Sequence, residues 1–211
     1  MQRIILPIIV MLILAWVLKH NIKRNTSKDH QSVKNYLAKE EEANSTRRKD
    51  ISSLPYITVP LETLPLDITL NDEKKQLQIA EYIKEIYALS DKKMLNLIGI
   101  SNTELKATYG PANLEVLTLY DQTYSKYIRT LHLFADCIYE EHPDKAAAIL
   151  EYCLSIGTDI SGSYELLGKY YLNKNDMTHF EALYQYIPDT ESISGKMIVN
   201  KLEHLRSSKR Q

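Results

Sequence analysis

The chain has 211 residues, with 26 Lys and Arg against 27 Asp and Glu, so its formal net charge is −1. That balance hides a split: residues 1–55 hold ten Lys/Arg and five Asp/Glu, whereas residues 56–211 hold sixteen and twenty-two. An acidic body is repelled by phosphate backbones, which argues against a nucleic-acid partner, and six Gly with seven Pro are too few for a turn-rich β fold.

Residues 4–18 are fifteen consecutive residues without a charge, and Trp16 carries their one hydrogen-bonding side chain. They predict a transmembrane helix within an anchor over residues 1–20. At about 22 Å the run is shorter than the hydrocarbon core of about 30 Å. Arg3 and Lys19 extend their stems to the headgroups, and Trp16 takes the interface, with Lys23 and Arg24 just beyond. The rival reading is a cleaved secretory signal, but Trp16 and Leu18 are poor residues at a cleavage site. Flanking Lys/Arg favour a single-pass protein at the cell membrane with its body in the cytoplasm.

Residues 21–55 read as a charged juxtamembrane stalk. Only Val33, Tyr36 and Leu37 are large and apolar between Lys28 and Lys49, so the segment has no face of its own to bury. Residues 54–70 change character, because Pro55, Pro60 and Pro65 deny both a helix and a central strand. The many apolar residues between them predict an extended strap lying in a groove of a helical body over residues 56–211.

Helices are expected across residues 71–141. The first is capped near Asn71 and runs to about Ser90, with Leu77, Ile79, Ile83, Ile86 and Leu89 as its apolar positions. A shorter helix follows over Lys92–Ile98. Ser101-x-x-Glu104 is a capping box, Gly110 stops that helix, and Pro111 opens the next. Leu114, Leu117, Tyr120, Tyr124, Ile128, Leu131, Phe134 and Ile138 mark one face of a long helix reaching Glu141. His142-Pro143-Asp144 breaks the chain. Helices then span Lys145–Ile156 and Ser161–Leu172, and another stops at Pro188. A C-terminal helix over residues 194–207 turns Met197, Ile198, Leu202 and Leu205 inward.

Leu166-Leu167-Gly168-Lys169-Tyr170-Tyr171, followed by Asn173-Lys174-Asn175-Asp176, resembles the first helix and turn of a tetratricopeptide repeat. A shift by the family's length of about 34 residues pairs Leu133 with Leu167, Cys137 with Tyr171, Ala146 with Phe180, Leu150 with Tyr184, and Cys153 with Ile187. The likeness covers residues 127–194. Phe180 departs from it, standing where the family has a small residue. The resemblance implies an all-α fold of helical hairpins that binds a protein or peptide. Tyr164, Tyr170 and Asn173 would line its concave surface, although the same tyrosines also fit a hairpin core.

No phosphate-cradling loop, metal-ligand spacing or nucleophile motif occurs, so no catalytic, cofactor-binding or metal-binding residue is assigned. Glu140-Glu141-His142 is the nearest approach to a site, at a helix end where charged residues are common. Cys137 and Cys153 have no metal-ligand spacing. The expected function is membrane-anchored, non-enzymatic protein interaction. The alternatives are a structural subunit of a larger envelope complex or an extracytoplasmic binding domain.

Overall fold

The computed structural model describes residues 33–209. Every regular element among them is helical, without a strand. Residues 33–45 form α1, followed by α2 (Glu73–Ser90), α3 (Asn102–Tyr109), α4 (Leu114–Ile138), α5 (Pro143–Ser155), α6 (Ser161–Asn173), α7 (Met177–Ala182) and α8 (Ile193–Ser208). The expected fold class needs correction at its N-terminal element: among the described residues no helix is long and apolar enough to cross a membrane. Residues 4–18, where the span was expected, and its interface residues Arg3, Trp16, Lys19, Lys23 and Arg24 lie outside the described residues.

The chain divides into two compact units. One holds residues up to Asp50 together with Ser101–Leu114. Within it the charged segment stays largely exposed and is tied to α3 by a few polar contacts. Glu40 accepts from Thr103 Oγ1 at 2.6 Å and pairs with Lys106, whose ammonium also reaches Asn44. Ala43 is buried, whereas Val33, Tyr36 and Leu37 stay exposed, as their isolation in sequence implies. Asn113 is the buried polar centre of this unit. Its amide donates to the carbonyls of Lys49 and Tyr109 at 2.8 and 2.7 Å, and its oxygen accepts from Arg48 Nε at 3.1 Å. Ser101 and Glu104 form the expected capping box. Gly110 ends α3 as expected, at φ +86°, and a Cβ there would lie 2.7 Å from the Arg47 carbonyl oxygen.

The second unit holds Ile51–Ile100 with the chain from Glu115 onward. Residues 65–70 form no ladder, yet burial alternates with strand-like period two: Leu64, Leu66, Ile68 and Leu70 are inside, and Asp67 and Thr69 are outside. This is the expected strap. Its far end is clamped at the α4–α5 corner. The His142 ring meets the Thr69 carbonyl at 3.0 Å, Lys145 donates to the Asp67 carbonyl at 2.9 Å, and Asn71 donates twice to Glu141. Glu140 pairs with Lys75 of α2 at 2.7 Å. His142 and Lys145 therefore fasten the strap, while Glu140 and Glu141 hold the start of α2.

α4 is buried on more than its expected stripe. Tyr127, Thr130 and Ala135 join Tyr124, Ile128, Leu131, Phe134 and Ile138 inside, because α4 is met by α2 at Glu85, by α5 at Tyr152 and by α6 at Ser163. Leu77 of α2, expected inward, is exposed; Ile79, Ile86 and Leu89 supply the buried face. The helix expected over Lys92–Ile98 is instead a loop. Asn96 explains it: its side-chain oxygen accepts from Ile98 N at 3.0 Å, closing an Asx turn that competes with helix. Its amide meanwhile donates to the Ile156 and Gly157 carbonyls, both at 3.0 Å.

The described helices show no tetratricopeptide-like repeat. α4 has 25 residues against 13 in α6, and α5 has 13 against six in α7, so the paired segments are unequal. Leu183–Tyr186 continues α7 as a 3-10 turn before Pro188. Gly168 does permit a close approach, but its nearest neighbours include Leu202 and Leu205 of α8 as well as Phe180 of α7.

Two substitutions test this packing. Leu66→Ala removes a buried strap side chain and is expected to cost about 2–5 kcal/mol in urea unfolding. Gly110→Ala combines a positive φ with a backbone clash, a strain on the order of 1–3 kcal/mol. It should speed hydrogen exchange of the α3 amides and leave those of α6 protected.

Candidate functional site

The predicted surface of Tyr164, Tyr170 and Asn173 is not one surface. Tyr164 is wholly buried, and its hydroxyl hydrogen-bonds the carbonyls of Thr158 and Tyr186 at 3.0 and 2.7 Å. Tyr170 is half-buried and donates to Asp144 Oδ1 at 2.8 Å. That carboxylate pushes the Tyr170 pKa up to about 12. Lys174 closes the cluster, 3.0 Å from Asp144 and 5.5 Å from the Tyr170 ring centre. Asn173 is exposed at the end of α6. The tyrosines thus serve mainly as packing, each with its hydroxyl spent on a protein partner.

Two other tyrosines show the cost of so aromatic a core. Tyr127 and Tyr152 meet edge to face with ring centres 6.4 Å apart, and neither buried hydroxyl finds a well-aligned partner. Burial raises the pKa of both.

His132 of α4 and Ser163 of α6 lie 3.1 Å apart, Nδ1 to Oγ. A base beside a hydroxyl is the beginning of a nucleophilic pair. Here Ser163 is fully buried, so no substrate reaches its oxygen. Desolvation lowers the His132 pKa, keeping the imidazole neutral in the joint between the two helices. Cys137 and Cys153 are both free thiols, raised in pKa by burial. No group of three or more His, Cys, Asp or Glu among the described residues is placed to hold a metal ion.

A concave surface of this unit lies along α6 and α8. α8 starts cleanly, because Ser192 caps it by accepting from Gly195 N at 3.0 Å. It then buries Ile198 and Leu202 against α6, where Gly168 has no Cβ to hold the helices apart. One edge of α8 remains uncovered beside that seam. Ile193, Met197, Asn200 and His204 follow one another at spacings of three and four along it. With Lys196, Lys201, Leu205 and Glu165 they line a groove of about 510 Å³. Ile193 is 85% exposed and Met197 49%, a large apolar surface left to water at one point. Met197 Sδ lies 3.4 Å from the Ser161 hydroxyl, which steers it over the start of α6.

The groove's electrostatics are set by Glu165. Its two oxygens are taken by Lys169 at 2.6 Å and Lys201 at 2.7 Å. These two hydrogen-bonded lysines lower its pKa to about 2. Lys196 has only an exposed contact with Glu191 at 3.3 Å, which solvent screens.

The sequence assigned Met197 and Leu205 to the inward face. Leu205 is half-buried, but Met197 lies outward, on the groove wall. Ile193, the most exposed large apolar side chain among the described residues, was not singled out. Its only sequence signal is an isoleucine between two serines at a helix start, a pattern without periodic support.

No family model matches this chain. No curated protein sequence and no solved structure matches it either.

Glu165 gives this site a measurable pH dependence. Its folded pKa is depressed, so its stabilising contribution is complete above the unfolded carboxylate value of about 4.3. It is lost as pH falls through about 2. Urea unfolding of Glu165→Gln should therefore show a deficit against the parent protein at pH 6 that shrinks steadily below about pH 4.

Proposed function

We propose that the helical unit is a non-enzymatic protein-interaction domain that holds a partner in the α6–α8 groove. One observation carries this reading: Ile193 and Met197 leave large apolar surface exposed beside each other, on a well-formed helix, at the wall of a concave surface. Clustered exposed apolar side chains are often functional, because covering them is favourable by roughly 25 cal/mol per Å². The chemistry around it is that of recognition. Lys196 and Lys201 line the groove together with the apolar anchors, and a locked carboxylate fixes the position of Lys201. Elsewhere in the unit the hydroxyls of Tyr164, Tyr170 and Ser163 are engaged by the protein's own groups.

Site-directed photo-cross-linking in the native host tests it. A photoreactive residue replacing Asn200 in the groove should give a discrete adduct of higher mass, and Ile193→Asp should abolish it. The same residue replacing Lys84, exposed on α2, should give none. Equal labelling from both positions, or none from position 200, would remove the support for this groove as an interface.

A further inference from the structure

The chemistry of the groove narrows what it would hold. We propose that the occupant is an acidic amphipathic helix from another protein, its apolar side chains set on Ile193, Met197 and Leu205 and its carboxylates on Lys196 and Lys201. This rests on the interaction reading above and specifies the partner class.

Charge is the first argument. Residues 56–211 carry sixteen Lys/Arg against twenty-two Asp/Glu, yet the groove reverses that sign. Lys196, Lys201 and His204 line it, with Glu165 as the only carboxylate in its wall. Both oxygens of Glu165 already serve Lys169 and Lys201, so it has little left to offer a basic ligand. Lys196 is 60% exposed, and its partner Glu191 is 86% exposed. Such a pair contributes little to stability, so the lysine is available to exchange Glu191 for a ligand carboxylate. A cationic partner would meet Lys196 and Lys201 at the wall, whereas an acidic partner meets complementary charges.

Shape is the second argument. The apolar and polar lining from Ile193 to His204 lies on one helix, at positions that repeat every three or four residues. This stripe is about 16 Å long at 1.5 Å per residue, the length of a three-turn helix. A neighbouring helix matches it with anchors at i, i+3 or i+4, and i+7, the helix-in-groove mode of recognition. A flat apolar patch would favour no particular secondary structure, but a linear stripe beside a packed helix does.

The test uses the full-length protein and three labelled synthetic peptides in fluorescence anisotropy. One is a helical peptide with Leu anchors at i, i+4 and i+7, flanked by Glu. The second replaces Glu by Lys. The third keeps the acidic composition but scrambles the anchor spacing. The first should bind about tenfold or more tightly than either control, a difference of about 1.4 kcal/mol. Met197→Asp should weaken it about tenfold. Lys196→Glu should weaken it severalfold while improving binding of the Lys peptide, and circular dichroism should confirm that both variants keep their helix content. Equal binding of the scrambled peptide would overturn the helical element, and equal binding of the Lys peptide would overturn the acidic element. Indifference to Met197→Asp would place the binding elsewhere and overturn the proposal. A position-200 adduct that depends on Ile193, with a partner lacking an acidic helix, would overturn only the partner class and leave the interaction reading standing.

Discussion

The contact on which the candidate site depends is the seating of α8 on α6 at Gly168. A methyl group at this position would stand 3.1 to 3.3 Å from Leu205, Leu202 and Phe180. Because it is absent, α8 settles onto α6 and buries Ile198 and Leu202, while Phe180 fills the space above the glycine. That seam fixes the rotation of α8 about its own axis. Once Ile198 and Leu202 point inward, the 3.6-residue period leaves Ile193, Met197 and Asn200 on the flank. The exposed anchors follow from this close approach, and so does the line of lysines beside them.

The rest of the helical unit relies on a second constraint, which is that long tyrosine side chains must end on a polar partner when they enter a core. Tyr124 ends on the Ile156 carbonyl, Tyr164 on two carbonyls, and Tyr171 on Glu151. The bonds of Tyr124 and Tyr164 tie α4 and α6 to the loop after α5, and that of Tyr171 joins α6 to α5 directly. Asn96 acts in the same way from the loop before α3, reaching Tyr124 as well as the end of α5. Tyr127 and Tyr152 mark the limit of the strategy, where two hydroxyls share one crowded place. The strap completes the enclosure. Its apolar half lies inside, and its carbonyls are met by His142 and Lys145 from the corner of the body.

Much of this was legible where the signal was local. The Ser101–Glu104 capping box, the stop at Gly110 and the extended strap around its prolines depend on residues near one another in sequence. Local rules failed where a side chain found a distant or competing partner. Asn96 traded a helical turn for bonds to its own backbone and to residues 156 and 157. Glu40 tied an otherwise exposed charge run to Thr103 and Lys106 of α3. Tyr164 and Tyr170 lie on one helix and looked like one surface, yet the first is covered from two sides and the second belongs to a polar cluster with Asp144 and Lys174.

The amino-acid order alone determined the all-α character of the body, the ends of most helices and the extended strap, because caps, prolines, glycines and hydrophobic period act over a few residues. It did not determine which edge of α8 would be left to water. Met197 and Ile198 are adjacent and similarly apolar, and only the packing of α8 on Gly168 sends one into the core and the other to the groove wall. That choice is made between helices about thirty residues apart, by a shape fit that neither segment carries by itself.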